Sequence, residues 1–202
     1  MKSGGADWGP TPTCLSGAHV ELQPLTAAHR ADLFEASQEP EIWLYMPAPQ
    51  PASEADVQAF IDRALDHVAK REAVVFAIID RRTGRAVGST RYSDIVRNDR
   101  GLEIGWTWLG RSARRTPINT ECKYLLLRHA FEGCEALRVQ LKCDDRNERS
   151  KAAIRRIGAT FEGVLRCHRV MWDGYLRDSA YFSVVHREWP AVRAALEAKL
   201  AR

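Results

Sequence analysis

Glu103-Ile104-Gly105-Trp106-Thr107-Trp108-Leu109, Gly110-Arg111-Ser112-Ala113-Arg114-Arg115-Thr116-Pro117 and Ile118-Asn119-Thr120-Glu121-Cys122-Lys123 follow one another without a break. The first block, from Leu102, has the apolar and aromatic content of a strand. The third opens a stretch from Ile118 to Phe131 without Gly or Pro, in which Tyr124, Leu127 and Phe131 share one face, so it predicts a helix. Pro117 stands near its first turn, where a missing N–H costs nothing. The start of a helix offers unpaired N–H groups and a partial positive charge, to which Arg111, Arg114 and Arg115 add full charges. A pyrophosphate would be well held on such a turn; a basic loop that faces water is the competing reading. The spacing G-x-x-x-x-G-K-[ST] is absent, so nucleotide hydrolysis is not supported.

Working outward, His19 to Leu25 reads as a strand, and Thr26 caps a helix through about Ser37. Glu39 to Pro51 holds four prolines beside Trp43, Tyr45 and Met46 and reads as a loop with large side chains. Ser53 caps an amphipathic helix marked by Val57, Phe60, Ile61, Ala64, Leu65 and Val68. Val74 to Ile79 and Ala86 to Tyr92 form a hairpin across Arg81 to Gly84. Downstream, Leu137 to Leu141 is a strand and Glu148 to Ile157 a helix ended by Gly158. Phe161 to Trp172 and Leu176 to Val185 are strands joined across Asp173-Gly174, a strong hairpin signal. Trp189, Val192, Leu196 and Leu200 mark a last helix. Hairpins demand antiparallel pairing and intervening helices demand some parallel pairing, so the class is α/β (α+β) with a mixed sheet.

The 202 residues suit one domain, expected over 18–202 behind a flexible N-terminal tail, 1–17, rich in Gly, Pro, Ser and Thr. No apolar run approaches the roughly 18 residues of a membrane span, and the N-terminus lacks a secretory pattern, so no membrane partner is expected. Five scattered cysteines without a C-x-x-C pair suggest neither a disulfide framework nor a metal site, and fit a cytoplasmic protein. The net charge of +4 is evenly spread, which argues against a stable nucleic-acid partner.

A second informative stretch is Asn147-Glu148-Arg149-Ser150-Lys151-Ala152-Ala153-Ile154-Arg155-Arg156-Ile157-Gly158-Ala159. Asn147 could simply cap the helix. Ser150, one turn in, is a mediocre helix former and is either exposed or directed at something polar.

Five blocks, I-G-W-T-W-L, R-R-T-P-I-N-T-E-C-K, N-E-R-S-K-A-A-I-R-R-I-G-A, E-G-V-L-R-C-H and D-G-Y-L-R-D-S-A-Y-F-S-V, together resemble the GNAT acetyltransferases, in particular the branch that acetylates the N-termini of ribosomal proteins. The resemblance spans roughly His19 to Leu200. It implies a mostly antiparallel sheet of about seven strands flanked by helices, with two central strands splayed around acetyl-CoA. It also implies transfer of the acetyl group to a primary amine, on a small molecule or a protein N-terminus, by direct attack in a ternary complex; no metal takes part, and a homodimer is compatible with this branch. By resemblance, backbone N–H groups near Trp108 face the thioester, while Arg111, Arg114, Arg115, Thr116, Asn119 and Thr120 surround the phosphates. Asn147 lies near the pantetheine arm, Ser150 near the sulfur, and Trp43 and Tyr45 wall the acceptor pocket.

Two departures from the family pattern stand out. Arg115 and Pro117 occupy positions usually flexible or small, and Ile154 replaces a tyrosine that protonates the leaving thiolate, a role Ser150 could take. Glu103 and His168 are the candidate bases for deprotonating the amine; an ion-paired carboxylate and a structural histidine are their plainer readings. A non-catalytic acyl-CoA sensor and an RNA- or ribosome-associated protein remain as alternatives.

Overall fold

A computed structural model of the chain describes residues 5 and 7–201. Its centre is an eight-stranded sheet in the order β1-β2-β3-β4-β5-β6-β8-β7. The strands are β1 (Leu15–Ser16), β2 (Val20–Pro24), β3 (Val74–Asp80), β4 (Arg85–Val96), β5 (Gly101–Leu109), β6 (Arg138–Asp144), β7 (Thr160–Val170) and β8 (Leu176–Val185). Among them only β5 and β6 pair in parallel. The helices are α1 (Arg30–Ala36), α2 (Pro40–Trp43), α3 (Glu54–Ala69), α4 (Ile118–Arg128), α5 (Glu148–Arg156) and α6 (Trp189–Leu200).

Period-two alternation divides the apolar side chains between two cores, one on each face of the sheet. On one face Val20, Leu22, Phe76, Tyr92, Leu102 and Ile104 meet α4 and α6 through Leu125, Leu126 and Leu196. On the other, Val75, Ala77, Ile79 and Trp108 meet α1 to α3 through Leu33, Trp43, Val57 and Ile61. Ser53 caps α3 in a reciprocal box with Asp56, as its position ahead of the apolar stripe predicts.

Three expectations change. The helix after Thr26 begins as a tight turn, Ala27–His29, before α1, because the His29 ring accepts the Thr26 N–H at 3.1 Å and closes the turn early. The proline-rich loop contains α2, whose Pro40 stands in the first turn where it is harmless. Of the tail expected over 1–17, residues 1–4 and 6 lie outside the described residues; of the rest, Trp8 is buried with its indole donating to the Cys134 carbonyl at 2.7 Å, and Leu15–Ser16 adds an eighth strand to the sheet. From Trp8 onward much of this segment is therefore docked by apolar burial and strand pairing.

Candidate active site

The parallel register of β5 and β6 runs only over Gly101↔Arg138, Leu102↔Val139 and Glu103↔Gln140. Beyond Glu103 the two strands part, and β6 continues paired with β8 alone. A bulge in β5 accompanies the separation: three residues of β4, Ser89 to Arg91, face four of β5, Gly105 to Trp108. Trp106 carries the extra residue at φ 51°, a conformation unfavourable for a bulky side chain. Gly110 donates its N–H to the Val87 carbonyl at 2.8 Å and Trp108 is matched with Ser89, so alternate peptides of β5 turn toward β4. Those of Thr107 and Leu109 therefore turn toward the gap, and the Leu109 carbonyl accepts from Arg114 Nε at 3.3 Å on that side. The open donors lie one residue to either side of Trp108, whose own peptide is paired.

Beyond Leu109 at the end of β5 the chain runs through the basic turn into the start of α4. The first-turn residues Asn119 and Thr120 are half-buried there, while Arg111 and Arg115 are exposed. Arg115 has φ 59°, the left-handed conformation a glycine adopts without strain, so the backbone turn persists although the glycine is absent. Two residues expected around phosphate have other tasks. Arg114 is ion-paired to Glu39 at 2.8 Å, tying the basic loop to α2, and the Thr116 hydroxyl caps the turn by donating to the Ala113 carbonyl at 2.8 Å and accepting from Ile118 N–H at 3.3 Å. Arg114 keeps a buried Nη2 with no hydrogen-bond partner, and among the described residues the cations of this turn without a carboxylate partner are Arg111 and Arg115. Exchanging both for Ala should weaken acetyl-CoA binding roughly tenfold or more, since each charge-assisted contact is worth about twice a neutral one. Titration calorimetry measures this, and an unaltered melting temperature separates it from a folding defect.

A buried charge network lines the mouth of the gap. Glu103 is only 2% exposed; its carboxylate receives Lys142 Nζ at 2.7 Å and Gln140 Nε2 at 3.1 Å, and Lys142 also reaches Asp94 at 2.8 Å. Burial raises the pKa of Glu103, with Lys142 opposing; Lys142 itself is raised, its desolvation outweighed by Glu103 and Asp94. His168 lies farther along the same face with Nδ1 against Ser179 Oγ at 3.0 Å and Nε2 against Tyr181 Oη at 3.2 Å. Burial and then the nearby cations lower its pKa. With both ring nitrogens engaged it is the weaker base candidate. Behind β5, Lys123 of α4 is 7% exposed and donates to Thr107 Oγ1, which also meets Thr90 Oγ1 at 2.8 Å. This chain fixes the residue whose peptide opens to the gap. Lys142 belongs to no motif and Lys123 merely ends the block that opens α4; strand register brings the first to Glu103, and packing of α4 on the sheet brings the second to Thr107.

Around the opposite rim, Asn147 caps α5 by accepting Ser150 N–H at 2.9 Å, which uses one of the two lone pairs of its Oδ1. Burial raises the pKa of the Cys143 thiol on β6, with the nearby Ser150 hydroxyl opposing. Ile154 is buried in the core. Trp43 is buried as well, its N–H donating to the Ser37 carbonyl at 2.8 Å and its ring 5.5 Å from that of Trp108, so it supports the site from behind. Tyr45 is half-buried, with Arg146 between it and Tyr175 at 5.5 and 3.6 Å. Among the described residues no group of three His, Cys, Asp or Glu is placed to hold a metal.

Comparison with known proteins agrees with this arrangement. The Acetyltransferase (GNAT) domain family matches residues 19–160. A GCN5-related N-acetyltransferase from Brucella melitensis has a crystal structure similar to this chain at TM-score 0.89 and 31% identity, covering 95% of this chain and 86% of that one. A protein from T. thermophilus, provisionally described as an acetyltransferase, is similar at TM-score 0.86 and 37% identity over 95% of this chain and 99% of its own. A Bacillus subtilis protein provisionally named ribosomal N-acetyltransferase YdaF is 31% identical over 106 residues, a match spanning 52% of this chain and 57% of that protein. The splayed parallel pair, the bulged strand and the basic turn before α4 thus occur in a chain that belongs to the GNAT acetyltransferase family.

Proposed function

We propose that this chain is an N-acetyltransferase that moves the acetyl group of acetyl-CoA to a primary amine by direct attack, both substrates being bound together. The observation that carries the reading is the gap between β5 and β6, whose pairing ends at Glu103, on a strand that leads through a basic turn into α4. The chain's residues suit the cosubstrate there: Arg111, Arg115 and the first-turn N–H groups of α4 would hold the pyrophosphate, and the unpaired edges of β5 and β6 would flank the pantetheine arm. Acetyl-CoA supplies an activated thioester.

Amines at neutral pH are mostly protonated, so attack requires a proton acceptor. Glu103 takes this role: buried beside Lys142, it accepts the proton through water or directly. The N–H groups of Thr107 and Leu109 then stabilise negative charge developing on the acetyl oxygen, each contributing about 3 kcal/mol. Ser150 is the hydroxyl available to the departing sulfur, since Ile154 offers none. Both a small-molecule amine and a protein N-terminus fit this chemistry. Purified protein mixed with acetyl-CoA and a panel of amines should release free thiol in step with acetylated product. Binding of acetyl-CoA without transfer to any amine would favour the sensor reading.

A further inference from the structure

Arg91 has no place in the mechanism above, yet it occupies one of the least favourable positions for a cation in the molecule. It is 6% exposed, its Nε is enclosed without a hydrogen-bond partner, and no carboxylate of the described residues is ion-paired with it. Its guanidinium lies over the Trp106 ring at 4.5 Å and over the Phe60 ring at 5.7 Å. Two aromatic faces offset only part of the cost of dehydrating a guanidinium. Burial lowers its pKa to about 10, so it remains charged at neutral pH. Arg177, equally buried and with its own Nε unpartnered, differs in having Asp144 nearby to balance its charge. Among the described residues no such group balances Arg91.

Its location decides what the charge is for. Arg91 is paired in register with Gly105, next to the bulge residue Trp106 and on the sheet face that carries Glu103, since a Cβ on Gly105 would meet the Glu103 carboxylate. The guanidinium therefore flanks the place where an amine would approach Glu103, one strand over. We propose that the acceptor carries an anionic group, a carboxylate or a phosphate, beside its amine, and that Arg91 binds that group between Trp106 and Phe60. The inference rests on the acetyltransferase reading for the position of the acceptor. The anion arrives either on a small amine or as an acidic side chain at a peptide N-terminus.

Matched pairs of acceptors test this: β-alanine against 3-aminopropanol, phosphoethanolamine against ethanolamine, and a tripeptide amide beginning with aspartate against the one beginning with asparagine. The anionic member of at least one pair should have a kcat/KM higher by about tenfold or more, the discrimination expected of a charge-assisted contact. A preference confined to the first two pairs identifies a small molecule, and one confined to the third identifies a peptide. Arg91→Met should bring the ratio to about one, Arg91→Lys should keep part of it, and acetyl-CoA affinity should stay within about twofold in both. Parity in every pair for the unaltered protein overturns the proposal and needs no variant. So does an Arg91→Met protein that loses acetyl-CoA affinity instead, because Arg91 would then serve the cosubstrate. If none of these amines is acetylated, the transfer reading fails for them, and calorimetry of β-alanine and phosphoethanolamine with the CoA-loaded protein decides the subsite alone: binding that Arg91→Met abolishes supports it, and no binding overturns it.

Discussion

Replacing Glu103 with Gln is expected to lower kcat for acetyl transfer by about 10²- to 10³-fold, the usual worth of a positioned general base, with acetyl-CoA affinity nearly unchanged. The carboxylate is buried at the last paired step of β5 and β6, where the gap begins, and it is held by Lys142 at 2.7 Å and Gln140 at 3.1 Å. Its pKa is raised, chiefly by burial. The ionised form is the proton acceptor, so the rate should rise with pH through this raised value, giving an acid limb above the ordinary carboxylate range. In Glu103→Gln that limb should vanish. A structural ion pair makes a different prediction: the variant would melt earlier while its residual activity kept the same pH profile.

Replacing Glu121 with Ala should be the most destabilising single change outside the apolar core, at about 2–4 kcal/mol from unpaired donors and a lost charge-assisted acceptor. The buried Glu121 carboxylate receives three consecutive N–H groups, from Ala18 at 2.8 Å, His19 at 2.6 Å and Val20 at 2.7 Å. It thereby binds the start of β2 to the first turn of α4. Val20 is fully buried, so its N–H has no water to turn to, whereas the exposed Ala18 and His19 do. A chain of this length should lose roughly 5–15 °C in Tm, at a few degrees per kcal/mol. A side chain at Gly17 would strike the same carboxylate, its Cβ falling 2.3 Å from Glu121 Cδ. Gly17→Ala should therefore show a milder form of the same defect. Because α4 carries the expected phosphate turn, Glu121→Ala should also loosen acetyl-CoA binding at temperatures well below its melting point.

The elements legible in the sequence are those with local causes. Apolar spacing after Ser53, the Pro-to-Phe run from Pro117 and the Asp173-Gly174 turn each specify structure through neighbours a few residues away, and α3, α4 and the β7–β8 hairpin follow them. The bulge at Trp106 has no such signature, because tryptophan is not a residue that left-handed backbone favours; pairing with β4 and the gap beyond impose it. Arginine identity alone likewise could not separate Arg114 from its neighbours. Glu39, far upstream in the chain, claims it, and only the fold brings the two together. Asn147 and Thr116 illustrate the same ambiguity in polar residues near helix starts, where capping and ligand binding use the same atoms. Glu121 and Arg91 were invisible as site-forming residues, since their significance lies in which distant backbone or aromatic groups surround them.

Acetyl-CoA is expected to enter the opening between β5 and β6. A crystal structure of the protein grown with the cosubstrate tests it most directly. The expected result is pyrophosphate against Arg111, Arg115 and the first turn of α4, with the thioester oxygen within hydrogen-bond distance of the Thr107 or Leu109 N–H. Acetyl-CoA bound elsewhere, or β5 and β6 drawn together beyond Glu103 so that no thioester fits, would contradict it.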